Sequence, residues 1–179
     1  MKSSNKGFTL IELVIVIAII SVLGTTVFLN IRPGEILSNS RNATRKSDLT
    51  NLVNAITTAQ STGNITLVST NGWKGSTDAN VSYVVTGTGY VPFTALTTEA
   101  KLGISKLPSD PLNGNAIANV GEVVQKVAGT AIYKVAYCSD GKDFEVEIYL
   151  ENDTKNEMNN DGGNNPTAYE VGSNVLVCQ

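Results

Sequence analysis

The side chains able to do chemistry in this 179-residue chain are carboxylates and two cysteines; histidine is absent. Without an imidazole there is no Ser-His-Asp or Cys-His nucleophile pair, no His-ligated zinc site and no histidine proton shuttle. Cys138 and Cys178 alone cannot build a cysteine-rich metal cluster. A hydrolase working through paired carboxylates is left, and Asp140 and Asp143 are such a pair. They flank Gly141-Lys142 at the tip of an expected hairpin, where backbone preference alone explains aspartate. The expectation is therefore that the protein is not an enzyme. The acidic loop over residues 151–165 sets Glu157, Asn159 and Asp161-Gly162 at positions that partly imitate a calcium loop. The bidentate acid required seven residues after Asp161 is absent and Ala168 stands there, so this is no EF-hand. A solvated Asn/Gly surface loop accounts for the same composition.

One ordinary domain with an appendage must position these groups, since the length is too short for two comfortable domains. Charge is unevenly spread along it. Residues 48–179 hold seven lysines against fourteen acids, whereas residues 8–47 carry Arg32, Arg41, Arg45 and Lys46 against Glu12 and Glu35. An acidic body repels a phosphate backbone, so no direct nucleic-acid partner is expected.

The appendage is the N-terminus. Residues 13–31 are uncharged and mostly Ile, Val and Leu. As a helix they rise roughly 28 Å, about one bilayer hydrocarbon thickness. Lys2 and Lys6 precede them, which retains that end in the cytoplasm and sends the rest outward. No small-residue cleavage site follows the apolar run, and the run exceeds a secretory signal core of ~7–15 residues. A membrane anchor fits better than a cleaved secretory signal. Glu12 does not suit a plain anchor, because a carboxylate in hydrocarbon costs on the order of 3 kcal/mol unless it finds a partner.

Lys6-Gly7-Phe8-Thr9-Leu10-Ile11-Glu12, followed by an unbroken apolar run, resembles the type IV prepilin signature of type IV pilins, type II secretion pseudopilins and competence pilins. The resemblance implies cleavage by a membrane-bound prepilin peptidase between Gly7 and Phe8, N-methylation of Phe8, and a role for Glu12 in assembly. It also implies an α+β pilin fold, in which a long N-terminal α-helical stalk packs on a small antiparallel β-sheet head. The corresponding division is a leader over residues 1–7, a transmembrane and assembly half of the stalk over 8–31, an amphipathic half over 32–63, and a β-rich head over 64–179.

The residues support that division. Pro33-Gly34 should break or kink the helix. Leu49, Leu52, Val53 and Ile56 then recur at i, i+3, i+4 and i+7, with Ile36 and Ala43 extending the series backwards. Termination is expected at Ser61-Thr62-Gly63-Asn64. A helix unbroken over residues 8–60 would be roughly 80 Å long. Arg41, Arg45 and Asp48 share another face, read here as solvated. Taken as a group, they could pair with acids of a neighbouring subunit or lie near anionic headgroups. In the head, residues 81–86, 122–128, 131–138, 144–150 and 174–178 read as strands, with a hairpin turn at Ser139-Asp140-Gly141-Lys142. Cys138 and Cys178 end two of these strands in a part facing an oxidising compartment. A disulfide is favoured over two buried thiols, and would contribute about 4 kcal/mol in the chain-entropy picture.

Ser40-Arg41-Asn42-Ala43-Thr44-Arg45-Lys46-Ser47-Asp48-Leu49 resembles the stalk of G-type major pseudopilins, and Leu107-Pro108-Ser109-Asp110-Pro111 is similar to their Leu-Pro-x-Asp-Pro element. The aromatic that often follows that element is absent; Leu112 stands there. Because those relatives hold calcium in a late acidic loop, the resemblance makes Asp153, Glu157 and Asp161 candidate calcium ligands; no other cofactor is implied. Its partners would be further copies of the chain in a helical filament, the prepilin peptidase, the inner-membrane assembly machinery and the membrane itself. The filament would stand on the cell surface or in the cell envelope. A membrane-anchored extracytoplasmic binding module that never polymerises is the alternative.

Overall fold

The computed structural model describes residues 7–77, 83, 85–96, 102–117 and 132–178, with the backbone alone for residues 28–30. Lys2, Lys6, the strand expected at 122–128 and half of the one expected at 81–86 lie outside them. The chain divides into two compact units, Met1–Leu37 and Ser38–Gln179.

The first unit is built on helix α1 (Leu10–Asn30). Thr9 begins it with a capping box. The Thr9 hydroxyl accepts from the Glu12 backbone N–H at 3.3 Å, while Glu12 Oε2 accepts from the Thr9 backbone N–H and hydroxyl, each at 2.8 Å. The described apolar residues of α1 are exposed all the way round, so no stripe among them turns inward. Its hydroxyls are handled internally. Ser21 donates to the Ile17 carbonyl, Thr25 to Ser21 and Thr26 to Leu23, at 2.7–2.9 Å. The helix over Leu10–Val27 is long and apolar enough to cross a membrane.

Helix α2 (Pro33–Ser61) starts in the first unit and runs through the second. The break falls at Ile31-Arg32, just ahead of the expected Pro33-Gly34. Proline has no N–H to continue α1 and its ring would strike the carbonyl four residues back, yet it suits the first position of a new helix. The end of α2 is where the sequence placed it. Gly63, at φ +68°, donates to the Gln60 carbonyl and Asn64 to Ala59, which is a Schellman cap.

In the second unit, Leu49, Leu52, Ile56 and Ala59 of α2 are buried and Val53 partly so. They pack on two antiparallel sheets. β1 (Ile65–Leu67) pairs with β3 (Phe93–Ala95), and β2 (Lys74–Gly75), β4 (Ala136–Ser139), β5 (Phe144–Ile148) and β6 (Tyr169–Gly172) follow in that spatial order. Tyr137 of β4, with Phe144, Val146 and Ile148 of β5, faces the helix. The fold is thus α+β.

Several expectations change. Ile36 and Ala43 are exposed, so the buried stripe begins only at Leu49. The strand over 131–138 shortens to β4, with Ile132 holding an isolated bridge to Ala116; residue 131 lies outside the described residues. Tyr83, Val85 and Thr86 are not strand. The last strand is Tyr169–Gly172, not 174–178. Asn174 uses its side-chain oxygen to accept from the Leu176 backbone N–H at 3.1 Å, a local turn that competes with strand pairing. The hairpin joining β4 to β5 forms as expected, with Ser139 opposite Phe144 and Gly141 at φ +99°.

Candidate functional site

The N-terminal site is the junction of Gly7, Phe8 and the first turn of α1. Phe8 is 87% exposed, and nothing crowds Gly7 within 4 Å of where a Cβ would stand. Glu12, one turn along, is not a bare charge, since it closes the capping box with Thr9. Its carboxylate lies near the chain end that cleavage after Gly7 would create. Were the chain cut there, the new amine would lie about one helical turn from a carboxylate that the helix dipole favours.

The second unit carries a polar clamp that the sequence reading put in solvent. Arg45 is buried and forms a two-pronged pair with Asp110, Nε to Oδ2 at 2.6 Å and Nη2 to Oδ1 at 2.9 Å. Its Nη1 reaches Glu151 Oε1 at 2.6 Å, and its guanidinium lies 4.9 Å from the centre of the Tyr133 ring. Arg41 holds the other side of the Glu151 carboxylate, and Lys46 pairs with Glu157 at 2.6 Å. Asn42 joins the same seam, donating to the Glu151 carbonyl at 2.7 Å and accepting from its N–H at 2.9 Å. The solvated-face reading of Arg41 and Arg45 is therefore corrected: their acids come from their own chain. Burial pushes the Glu151 carboxyl up, but hydrogen bonds from Arg41 and Arg45 outweigh it and hold the group below its ordinary value. Asp48 is half-buried, and burial raises it.

Cys138 and Cys178 are joined in a disulfide with their Cα atoms 6.3 Å apart. It fastens the chain's last turn to β4. Asp140 accepts from the backbone N–H groups of Lys142 and Asp143, both at 2.8 Å, and these hold it below its ordinary value. Asp143 accepts from the Ser173 hydroxyl at 2.9 Å. Both aspartates thus serve the hairpin.

The candidate calcium ligands do not come together. Asp153 takes the backbone N–H groups of Glu157 and Met158, Glu157 pairs with Lys46, and Asp161 takes those of Gly163 and Glu170. Each carboxylate ends a different turn. Among the described residues, the acids whose oxygens do converge are Glu145 and Glu147 of β5 and Glu170 of β6. The sequence reading missed them. Phe144-Glu145-Val146-Glu147-Ile148 alternates like a strand with one wet face, yet β5 is buried on both. The only signal was an acidic pair inside an otherwise apolar strand.

Residues 2–28 match the family model described as the prokaryotic N-terminal methylation motif. That motif is the type IV pilin and pseudopilin signature, and the chain carries it across Gly7, Phe8, Glu12 and most of α1. No curated protein and no solved structure matches the chain.

Proposed function

We propose that the protein is a structural subunit of a type IV pilus-like or type II secretion pseudopilus filament. It is made as a membrane-inserted precursor, cut between Gly7 and Phe8 by prepilin peptidase, and methylated on Phe8. Subunits then leave the membrane through the inner-membrane assembly machinery and pack side by side through α1. One observation carries the reading. The methylation motif runs directly into a helix whose apolar side chains are exposed on every side, a surface that needs lipid or other copies of itself around it. Stalks that associate head to tail without closing a ring generate an open helical filament.

In that filament Glu12 sets the axial register. Apolar packing along α1 supplies attraction but little discrimination between positions. An unpaired carboxylate in a dry bundle is costly, so the favoured stagger is one where the Glu12 of one copy meets the Phe8 amine of another. The test is expression in a host with a prepilin peptidase and assembly platform. Mass spectrometry should find mature chains beginning at methylated Phe8, and electron microscopy with an antibody against the head should find labelled fibres. Fibres at native expression mean a pilus, and fibres only on overexpression mean a pseudopilus. A cleaved chain that never forms fibres at either expression level would establish the membrane-anchored binding module instead.

A further inference from the structure

Three glutamates meet on the side of the β2-β4-β5-β6 sheet away from α2. Glu147 of β5 pairs across the strands with Glu170 of β6, and Glu145 lies two residues along, opposite Cys138 on one side and Gly172 on the other. Glu145 and Glu147 are 0% exposed and Glu170 2%. One carboxylate oxygen from each lies within 4.8 Å of the others. Like charges so placed, out of water, repel strongly unless something neutralises them.

The hydrogen bonds account for only part of this cluster. Glu145 Oε2 accepts from the Cys178 backbone N–H at 3.2 Å, Glu170 Oε2 from the Asn165 backbone N–H at 2.8 Å, and Glu147 Oε1 from the Asn165 side-chain amide at 3.1 Å. The Oε1 atoms of Glu145 and Glu170 are buried with no hydrogen-bond partner. Lys134 is also buried, two residues before Ala136, the cross-strand neighbour of Glu147. One ammonium would still leave two negative charges of three. Arg45, the other buried base among the described residues, is committed to Asp110 and Glu151.

The surroundings leave space for these carboxylates. Gly172 puts no side chain opposite Glu145, and a Cβ at Gly163 would collide with the Glu170 carboxylate. Glu147 and Glu170 face each other across the strands with Glu145 beside them, so like charges would stand together out of water. The group is thus unfavourable as three bare charges.

We propose that Glu145, Glu147 and Glu170 bind a hard divalent cation inside the head. The donors are all oxygen, without nitrogen or sulfur, which selects the calcium, magnesium and manganese class over zinc or copper. The buried orphan oxygens supply ligands, and the oxygens already bonded to Cys178 and Asn165 fix the carboxylates' orientation. This site is separate from the turns held by Asp153, Glu157 and Asp161.

The test uses the full chain in detergent, stripped with a chelator and titrated calorimetrically with calcium, magnesium and manganese chlorides. One ion per chain and a rise in Tm of several degrees are expected with at least one of the three. Glu147→Gln and Glu170→Gln keep shape while removing charge, and each should weaken binding at least tenfold. Asp153→Asn and Glu157→Gln should leave it within twofold. The proposal is overturned if no ion gives heat or a Tm shift with the wild-type chain. It is equally overturned if binding survives both strand variants, or is lost only in the two loop variants.

Discussion

Arg45 and Asp110 meet edge to edge with both side chains 1% exposed. They come from segments far apart in sequence, one on α2 and one in Leu107-Pro108-Ser109-Asp110-Pro111. Asp110 Oδ1 also accepts from the Leu112 backbone N–H at 2.8 Å, so the same carboxylate shapes its own turn and receives the helix. The Tyr90 hydroxyl donates to the Pro108 carbonyl at 2.7 Å and steadies the approach to that turn. A short proline-bounded loop thereby becomes a fixed dock for the head portion of α2.

Breaking that pair by removing one partner should be expensive, because the other charge stays buried and unpaired. Arg45→Ala is expected to cost about 3–5 kcal/mol of head stability. Urea unfolding of the full chain in detergent, followed by the head's tyrosine signal, would measure it. A loss below about 1 kcal/mol would show that water reaches Asp110 once the guanidinium is gone.

Acid should weaken the same seam through Glu151. Its folded pKa lies below the ordinary value of 4.5, so its contribution is complete above about pH 4.5 and is lost as pH falls through the lowered folded value. Thermal melts between pH 6 and pH 3 should show a falling Tm in the wild type. In Glu151→Gln the curve should begin lower and flatten across that window. Parallel curves for the two proteins would place the acid sensitivity elsewhere.

Reduction of Cys138–Cys178 opens a loop with a sequence separation of 40. The chain-entropy estimate for such a loop is about 4 kcal/mol, enough to lower the melting temperature by several degrees. The effect should also reach Glu145, whose hydrogen bond from Cys178 depends on the staple. An unchanged melt in dithiothreitol would contradict a stabilising role.

For the filament reading, Glu12→Ala is expected to leave membrane insertion and Gly7–Phe8 cleavage largely intact while reducing fibre yield at least tenfold. Losing the capping-box partner of Thr9 costs α1 on the order of 1 kcal/mol, too little to unfold a helix in lipid. Normal fibre yield from cleaved Glu12→Ala would leave Glu12 only as a recognition element for the peptidase.

Local rules made part of this molecule readable. Helix α1 follows from an uninterrupted apolar run, the end of α2 from Gly63, and the β4–β5 hairpin from Asp140-Gly141 flanked by strand residues. Each is settled within a few residues. The clamp and the glutamate cluster are not local. Arg45 looks solvated beside Arg41 and Asp48 until Asp110, 65 residues away, is brought against it. Glu145 and Glu147 look wet until the turn at Asn165 and the chain's last residues cover their face. The β1–β3 pair escaped for a further reason: three-residue strands are too short to show a period.

The hydroxyls of Ser21, Thr25 and Thr26 are each returned to carbonyls of their own helix. They leave little polar adhesive for a neighbouring helix. On the filament reading, a subunit waiting in the bilayer would be a self-sufficient cylinder, able to diffuse alone without premature clumping. Exchanging lipid for neighbours along this stretch breaks none of these hydrogen bonds, and neither does the reverse step. For a filament built this way, disassembly would return each stalk with its internal hydrogen bonds unchanged.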